Sequence, residues 1–180
     1  MTLAAPMGDG DLRVEPAAET HREPLRAACA LDADIWDIYP TRYFGEDFDR
    51  NFDKLFDSPA NIPFILFEGD RLVGMTSFLA VDRASLILEI GRTYIVPDVR
   101  GTGLNRRVKT MLLDRAFAEG FGRVSFRVDT RNQRSMAAVR KLGAMHEGTL
   151  RKERITWTGY VRDTAIFSIL ADEWAELRSR

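Results

Sequence analysis

Ten residues limit the folds open to this chain more than any others: Val96-Pro97-Asp98-Val99-Arg100-Gly101-Thr102-Gly103-Leu104-Asn105. The apolar run from Leu86 to Val96 stops at Pro97, which cannot continue a sheet ladder, so it reads as a strand. Leu104, Val108, Met111 and Leu112 then fall at i, i+4, i+7 and i+8, the spacing of an amphipathic helix ending near Gly120. The ten residues are therefore a strand-to-helix junction, where backbone N–H groups lack intrahelical partners. Gly101 and Gly103 remove side chains there and permit positive φ, so successive amides can curl around an oxyanion. The helix dipole adds roughly half a positive charge at that end, and Arg100 can add a side-chain contact. The junction is built as an anion cradle, although a plain turn also explains an isolated Gly-x-Gly.

Two familiar cradles are excluded. A dinucleotide fingerprint needs a third glycine where Arg106 stands, and no early βαβ unit precedes the junction. A Walker loop needs Gly-Lys-Ser/Thr after four intervening residues, and none exists. Charge supports an anionic ligand all the same. Residues 100–154 hold 14 Lys/Arg against 5 Asp/Glu inside a chain whose net charge is −1. Such a segment suits a polyanion held by one part of the fold, or an arginine-rich helix face. The slightly acidic total and the lack of a nucleic-acid motif argue against DNA or RNA as the partner.

The rest of the chain reads as one domain over residues 11–180 behind a loose leader at 1–10, with Gly8 and Gly10 in the leader. Leu12 to Glu15 alternates as a first strand, and a helix follows through Leu25, Ala28 and Leu31. Phe44, Phe48, Phe52 and Phe56 recur every four residues, a stripe expected to lie along one helical face in the core. Residues 62–67, 72–79 and 86–96 form an antiparallel meander. Val124, Phe126 and Val128 mark a further strand, and Asn132 opens a helix carrying Met136, Val139 and Leu142 to Gly143. Residues 145–155 and 160–170 read as two closing strands. The order is that of an α/β (α+β) domain on one mixed sheet. No apolar run is long enough for a membrane, no secretory start is present, and a single cysteine suits a reducing compartment, so a cytoplasmic location is expected. Cys29, His21 and His146 are too few for a metal site, and none is expected.

Arg-Gly-Thr-Gly-Leu-Asn after Tyr94-Ile95-Val96-Pro97 resembles the coenzyme A pyrophosphate loop of the GNAT acetyltransferases. Asp129-Thr130-Arg131-Asn132-Gln133-Arg134-Ser135, then Lys141-Leu142-Gly143-Ala144, is similar to that family's second signature, Asn-x-x-Ser followed by Lys-x-Gly. The resemblance covers about residues 10–172. Leu88-Glu89-Ile90-Gly91 and Val161-Arg162-Asp163-Thr164 look most like the Rim-like branch that contains ribosomal-protein N-terminal acetyltransferases. The resemblance implies a GNAT fold: a mixed, mostly antiparallel sheet of about seven strands, helices on both faces, and a V-shaped splay between the fourth and fifth strands.

It also implies an acetyl-CoA-dependent N-acetyltransferase acting on a primary amine, a protein N-terminus or a small molecule, by direct attack in a ternary complex. The alternatives are an antibiotic or polyamine acetyltransferase and a non-catalytic acyl-CoA-sensing module; a homodimer is left open. The resemblance assigns cofactor contacts to the backbone of Tyr94 and Val96, to Arg100, Gly101, Thr102, Gly103, Leu104 and Asn105, and to Asn132, which also suits a helix N-cap. Glu89, inside an apolar run where desolvation raises a carboxyl pKa, is the candidate general base; the alternative is a strut paired with Arg92, Arg127 or Arg162. Val139 stands where many members carry an acidic tyrosine, so no general acid is carried over. Ser135 matches a serine that either donates to the leaving sulfur or packs on the cofactor. Eight acids among residues 32–57 suggest an acidic, aromatic acceptor wall that would draw a cation, or else a solvated helix face.

Overall fold

The computed structural model describes residues 2–178; Met1 of the expected leader and residues 179–180 of the expected domain lie outside the described residues. The architecture is one mixed sheet flanked by helices. Its eight strands are β1 (Met7–Asp9), β2 (Leu12–Pro16), β3 (Ile62–Glu68), β4 (Arg71–Asp82), β5 (Ile87–Ile95), β6 (Arg123–Asp129), β7 (Met145–Ile155) and β8 (Val161–Leu170), ordered β1-β2-β3-β4-β5-β6-β8-β7. Every neighbouring pair is antiparallel except β5 with β6. That exception follows from the connection: α3 (Leu104–Ala118) carries the chain back to the end of the sheet where β5 began. The remaining helices are α1 (Arg22–Cys29), α2 (Phe48–Asp53), α4 (Gln133–Lys141) and α5 (Ala171–Arg178).

The eighth strand lies in the stretch expected to be a loose leader. Met7, Gly8 and Asp9 pair with Val14, Arg13 and Leu12, Leu3 is buried, and Arg115 donates to the carbonyls of Thr2 (2.7 Å) and Ala5 (3.1 Å). Glycine content misled here: Gly10, at φ +61°, makes the turn of a short edge hairpin. The phenylalanine stripe is helical only in part. Phe48 and Phe52 are buried within α2, whereas Phe56 lies beyond its end and is exposed. Residues 34–38 form a 3₁₀ turn instead of a longer helix. Its Trp36 is fully buried, donates Nε1–H to Cys29 O (3.1 Å) and stacks on Tyr94 at 4.8 Å. A stack of this kind contributes roughly 1 kcal/mol beyond its area burial. The closing helix α5 has no counterpart in the sequence reading; Trp174 anchors it by donating to Asp114 (2.8 Å).

Two local irregularities position the site. First, β5 and β6 pair only at Ile87↔Arg123, Leu88↔Val124 and Glu89↔Ser125. Beyond Glu89, β5 runs on beside β4 to Ile95 while β6 follows β8 to Asp129. The two strands part, as the expected splay between the fourth and fifth strands requires once β1 is added to the count. Second, the β4–β5 ladder slips between Met75, opposite Tyr94, and Ser77, opposite Gly91. Thr76 thus faces two residues, Arg92 and Thr93. This is a β-bulge, with Arg92 left-handed at φ +50°, a conformation costing roughly 1–2 kcal/mol for a residue with a Cβ.

Close strand contact beside the bulge depends on Gly74, where an added Cβ would sit 2.2 Å from Tyr94 O. Gly74→Ala is expected to push β4 from β5 and to lower the unfolding free energy by more than about 2 kcal/mol. Urea denaturation measures this, and an unchanged midpoint would show that the strands yield without cost.

Candidate active site

Where the strands part lies a cavity of about 930 Å³. The start of α3 lines it through Gly101, Gly103, Asn105, Arg106 and Lys109, and the start of α4 through Asn132, Arg134 and Ser135. Thr93, Ile95 and Glu89 of β5 and Arg127 and Asp129 of β6 line it between them.

The cradle has the geometry that its glycines imply. Gly101 (φ +85°) and Gly103 (φ +95°) are left-handed, and a Cβ on either would meet nothing within 4 Å. Their bareness therefore serves backbone conformation and open approach, not internal packing. Among the described residues, the N–H groups of Gly101, Thr102, Gly103 and Asn105 donate to no protein acceptor, while Arg106 and Arg107 already reach Gly103 O (3.0 and 3.1 Å). Thr102 turns its hydroxyl back to Val99 O (2.8 Å) and Leu104 is buried beneath; neither of these expected contacts lines the cavity. Asn105 brings a buried side-chain oxygen with no hydrogen-bond partner among the described residues. Arg106, Arg134 and Lys141 are exposed around the same cavity. Free amides, an unsatisfied acceptor and three cations fit a ligand bearing phosphates and a polar linker. Asn132 caps α4 by accepting from Ser135 N–H (2.9 Å), which leaves the Ser135 hydroxyl without a protein partner among the described residues.

Three further expected cofactor contacts need correction. Val96 N–H donates to Val73 O (2.9 Å), and Tyr94 is paired with Met75. Polar groups alternate sides along an antiparallel strand, so those turned to the splay belong to Thr93 and Ile95, one residue off the expected pair. Tyr94 is instead a core residue whose hydroxyl donates to Ala28 O (2.8 Å), and neither Tyr94 nor Val96 lines the cavity. Arg100 lines it, but its guanidinium is engaged by Ile95 O (2.7 Å) and by the Asp32 carboxylate. It braces the cradle against β5 and the segment after α1.

Glu89 points into the cavity at the vertex of the splay. Bare Gly91 leaves it room, since a Cβ there would lie 2.7 Å from Leu79 Cδ1 and 2.9 Å from Glu89 Oε1. No cation stands within ion-pairing distance of its carboxylate among the described residues, so the strut alternative finds no partner. Burial pushes its pKa above the ordinary carboxylate range, opposed by the fields of Arg127, Arg154, Arg162 and Arg92. Arg92, Arg127 and Arg162, expected only as strut partners of Glu89, form with Arg154 one wall of the cavity, assembled from several strands. The acidic wall does not form. Asp49 and Asp53 pair with Arg22 and Arg26 on the outer surface, Asp47 pairs with Arg42 (2.6 Å), and Asp32 holds Arg100. None of the eight acids lines the cavity.

Lys109 was also missed, hidden in an amphipathic helix where a lysine reads as solvent-facing. It is only 5% exposed, and Nζ donates to Thr93 Oγ1, which shares a 2.8 Å hydrogen bond with Thr76 Oγ1. The bulge is thereby pinned from α3. Burial lowers the ammonium pKa to about 7, against the pull of Glu89.

A mixed sheet opened at one parallel pair, with an amide cradle at one bank and a half-buried carboxylate at the vertex, defines an acyltransferase class of site. The family model described as Acetyltransferase (GNAT) family matches residues 30–144, and the chain belongs to that family. No curated protein matches it in sequence. Among solved structures, an acetyltransferase-class protein from T. thermophilus is 29% identical, covers 97% of this chain and 94% of its own, and superposes with a TM-score of 0.88. A GNAT-family protein from Chromobacterium violaceum is 27% identical, with 96% and 94% coverage and a TM-score of 0.89. Spermidine N-acetyltransferase from Vibrio cholerae, in complex with CoA and spermine, shares the fold at 16% identity, 93% and 99% coverage and a TM-score of 0.77. No helix among the described residues is long and apolar enough to cross a membrane, and they contain no cluster of three metal-ligating side chains.

A buried amine with a lowered pKa binds fewer protons folded than unfolded between about pH 7 and its free value of 10.5. Its burial penalty is complete near pH 7 and fades as pH rises to 10. Lys109→Met removes that dependence, so wild type is expected to gain stability relative to the variant on going from pH 7 to 10. Chemical denaturation of both at several pH values measures it; parallel curves would mean that Lys109 titrates as if exposed.

Proposed function

We propose that this chain transfers an acetyl group from acetyl-CoA to a primary amine, a small molecule or a protein N-terminus, by direct attack with both substrates bound. The observation carrying the reading is the position of Glu89, half-buried and without an ion pair among the described residues, at the vertex of a cleft whose other end is an amide cradle. The Rim-like placement rests on sequence resemblance alone.

Acetyl-CoA supplies the acetyl group as an activated thioester. The amides of Gly101, Thr102, Gly103 and Asn105 hold the pyrophosphate, with Arg106, Arg134 and Lys141 offsetting its charge. The backbone of Thr93 and Ile95 pairs with the pantetheine arm across the splay, and the N–H groups at the bulge point to where carbonyl charge develops. Amines are mostly protonated near neutral pH, and Glu89 takes the proton that must leave before nitrogen attacks. Burial, which raises its pKa, strengthens it as a base. Ser135, with its hydroxyl unengaged, stands where the departing sulfur can be met by a donor.

Glu89→Gln is expected to lower kcat by about a hundredfold or more, with the steepest loss at low pH, while CoA affinity stays near wild type. Thiol release from acetyl-CoA across pH 6–9 reads this, and equal rates would remove Glu89 from the chemistry. Gly103→Val should weaken CoA binding, because the branched side chain occupies the open approach. A thermal-shift titration with CoA against dephospho-CoA measures that, and also tests whether the site grips the ligand's phosphates.

A further inference from the structure

Basic groups at the cradle answer the phosphates of the cofactor, but a second basic group lies elsewhere. Glu89 is six residues from Ile95 along one strand, roughly 20 Å of extended chain, and the cradle lies beyond Ile95. Around Glu89 stand Arg92, Arg127, Arg154 and Arg162, all lining the cavity. Their carboxylate partners do not match them in number. Glu153 is shared by Arg127 (2.6 Å) and Arg154 (3.5 Å). Asp129 is held by Arg131 (2.8 Å) and only distantly by Arg162 (3.9 Å). Arg92 has no carboxylate among the described residues, and its Nη1 is buried without any hydrogen-bond partner.

Arg162 is the second sign of an absent anion. It is 5% exposed, and its nearest polar neighbours are neutral: Thr164 Oγ1 (2.9 Å) and Arg127 O (3.4 Å). A guanidinium removed from water without a close counter-charge is costly and persists where a ligand completes it. With Arg131 included, the guanidiniums outnumber the carboxylates of Glu89, Asp129 and Glu153, and capture of a proton by Glu89 widens the excess. A polycation entering here meets more guanidiniums than carboxylates.

We infer that the acceptor is a small primary amine that also carries an anionic group, a carboxylate or a phosphate, held by Arg92 and Arg162 beside Glu89. The inference rests on the acetyl-transfer reading and specifies its substrate. In the reaction, Glu89 takes one proton from the ammonium, the N–C bond forms as the C–S bond breaks, and a second proton from the nitrogen reaches the sulfur, which departs as CoA thiol. The anion takes no part in bond exchange and orients the nitrogen.

Thiol release is measured for matched acceptors: n-butylamine, 4-aminobutyrate, ethanolamine, O-phosphoethanolamine, spermidine and an uncharged-side-chain tripeptide. Anion-bearing amines are expected to exceed their uncharged counterparts and spermidine in kcat/KM by about tenfold or more, the worth of one charge-assisted contact. The carboxylate and phosphate arms show which anion is favoured. Arg92→Gln should shrink that ratio several-fold, and Arg92→Lys should restore part of it. If Arg92→Gln does not fold, Arg162→Lys, which keeps the charge and loses the planar fork, reads the same ratio. Preference for spermidine, the tripeptide or the plain alkylamines, or a ratio untouched by both variants, overturns the inference and leaves acetyl transfer standing. Absence of thiol release with every amine, from protein whose melting temperature CoA raises, overturns the acetyl-transfer reading beneath it.

Discussion

One departure from regular pairing organises the molecule: β5 and β6 stay hydrogen-bonded for three residues and then separate. A parted pair leaves backbone donors and acceptors without partners, a cost that a folded chain bears only where something else supplies them. Here the protein meets part of that need itself. Tyr39 donates its hydroxyl to Thr93 O (2.6 Å), and Arg100 donates to Ile95 O. The bulge at Arg92 and Thr93 turns β5 off the line of β6, and Lys109 ties the bulge to α3 through Thr93 and Thr76. Cleft, cradle and carboxylate are therefore parts of one construction. The same strand that leads into the amide junction carries Glu89 towards its other end.

Electrostatics divides the cleft into two regions with different duties. Exposed cations beside a helix N-terminus suit a solvated polyanion, because water stabilises those charges when the ligand is absent. Near Glu89 the Arg162 guanidinium is buried, Arg92 has a buried Nη1, and the group shares too few carboxylates. Buried charge of one sign selects against ligands of the same sign more sharply than an exposed patch does, since water cannot screen it. Asp49 and Asp53 work elsewhere, in ion pairs that fasten α1 to α2 on the outer surface.

Much of this was legible from residue order alone. The strand-to-helix junction, the helix beginning at Asn132 and the meander of β3, β4 and β5 follow local rules of periodicity and capping, and the structure contains each of them. What misled was also local in origin. Gly8 and Gly10 read as slack and form a hairpin; four phenylalanines at helical spacing extend past a six-residue helix; and Tyr94, flanked by motif residues, belongs to the core. The bulge at Arg92 and Thr93 is equally silent in the sequence, because an inserted residue exchanges the two sides of a strand and leaves no mark in the pattern of side chains.

By itself, then, the sequence determined the family, most of the elements between Leu12 and Leu170 and the amide cradle, all of which depend on residues close in the chain. Only the tertiary structure decided which charges meet. Arg92, Arg127, Arg154 and Arg162 are scattered along β5, β6, β7 and β8, and Lys109 belongs to a helix that reads as amphipathic in isolation. Their burial and shared partners arise from long-range pairing of β5, β6, β8 and β7, and electrostatic coupling depends on distance through space, which spacing along a chain does not encode.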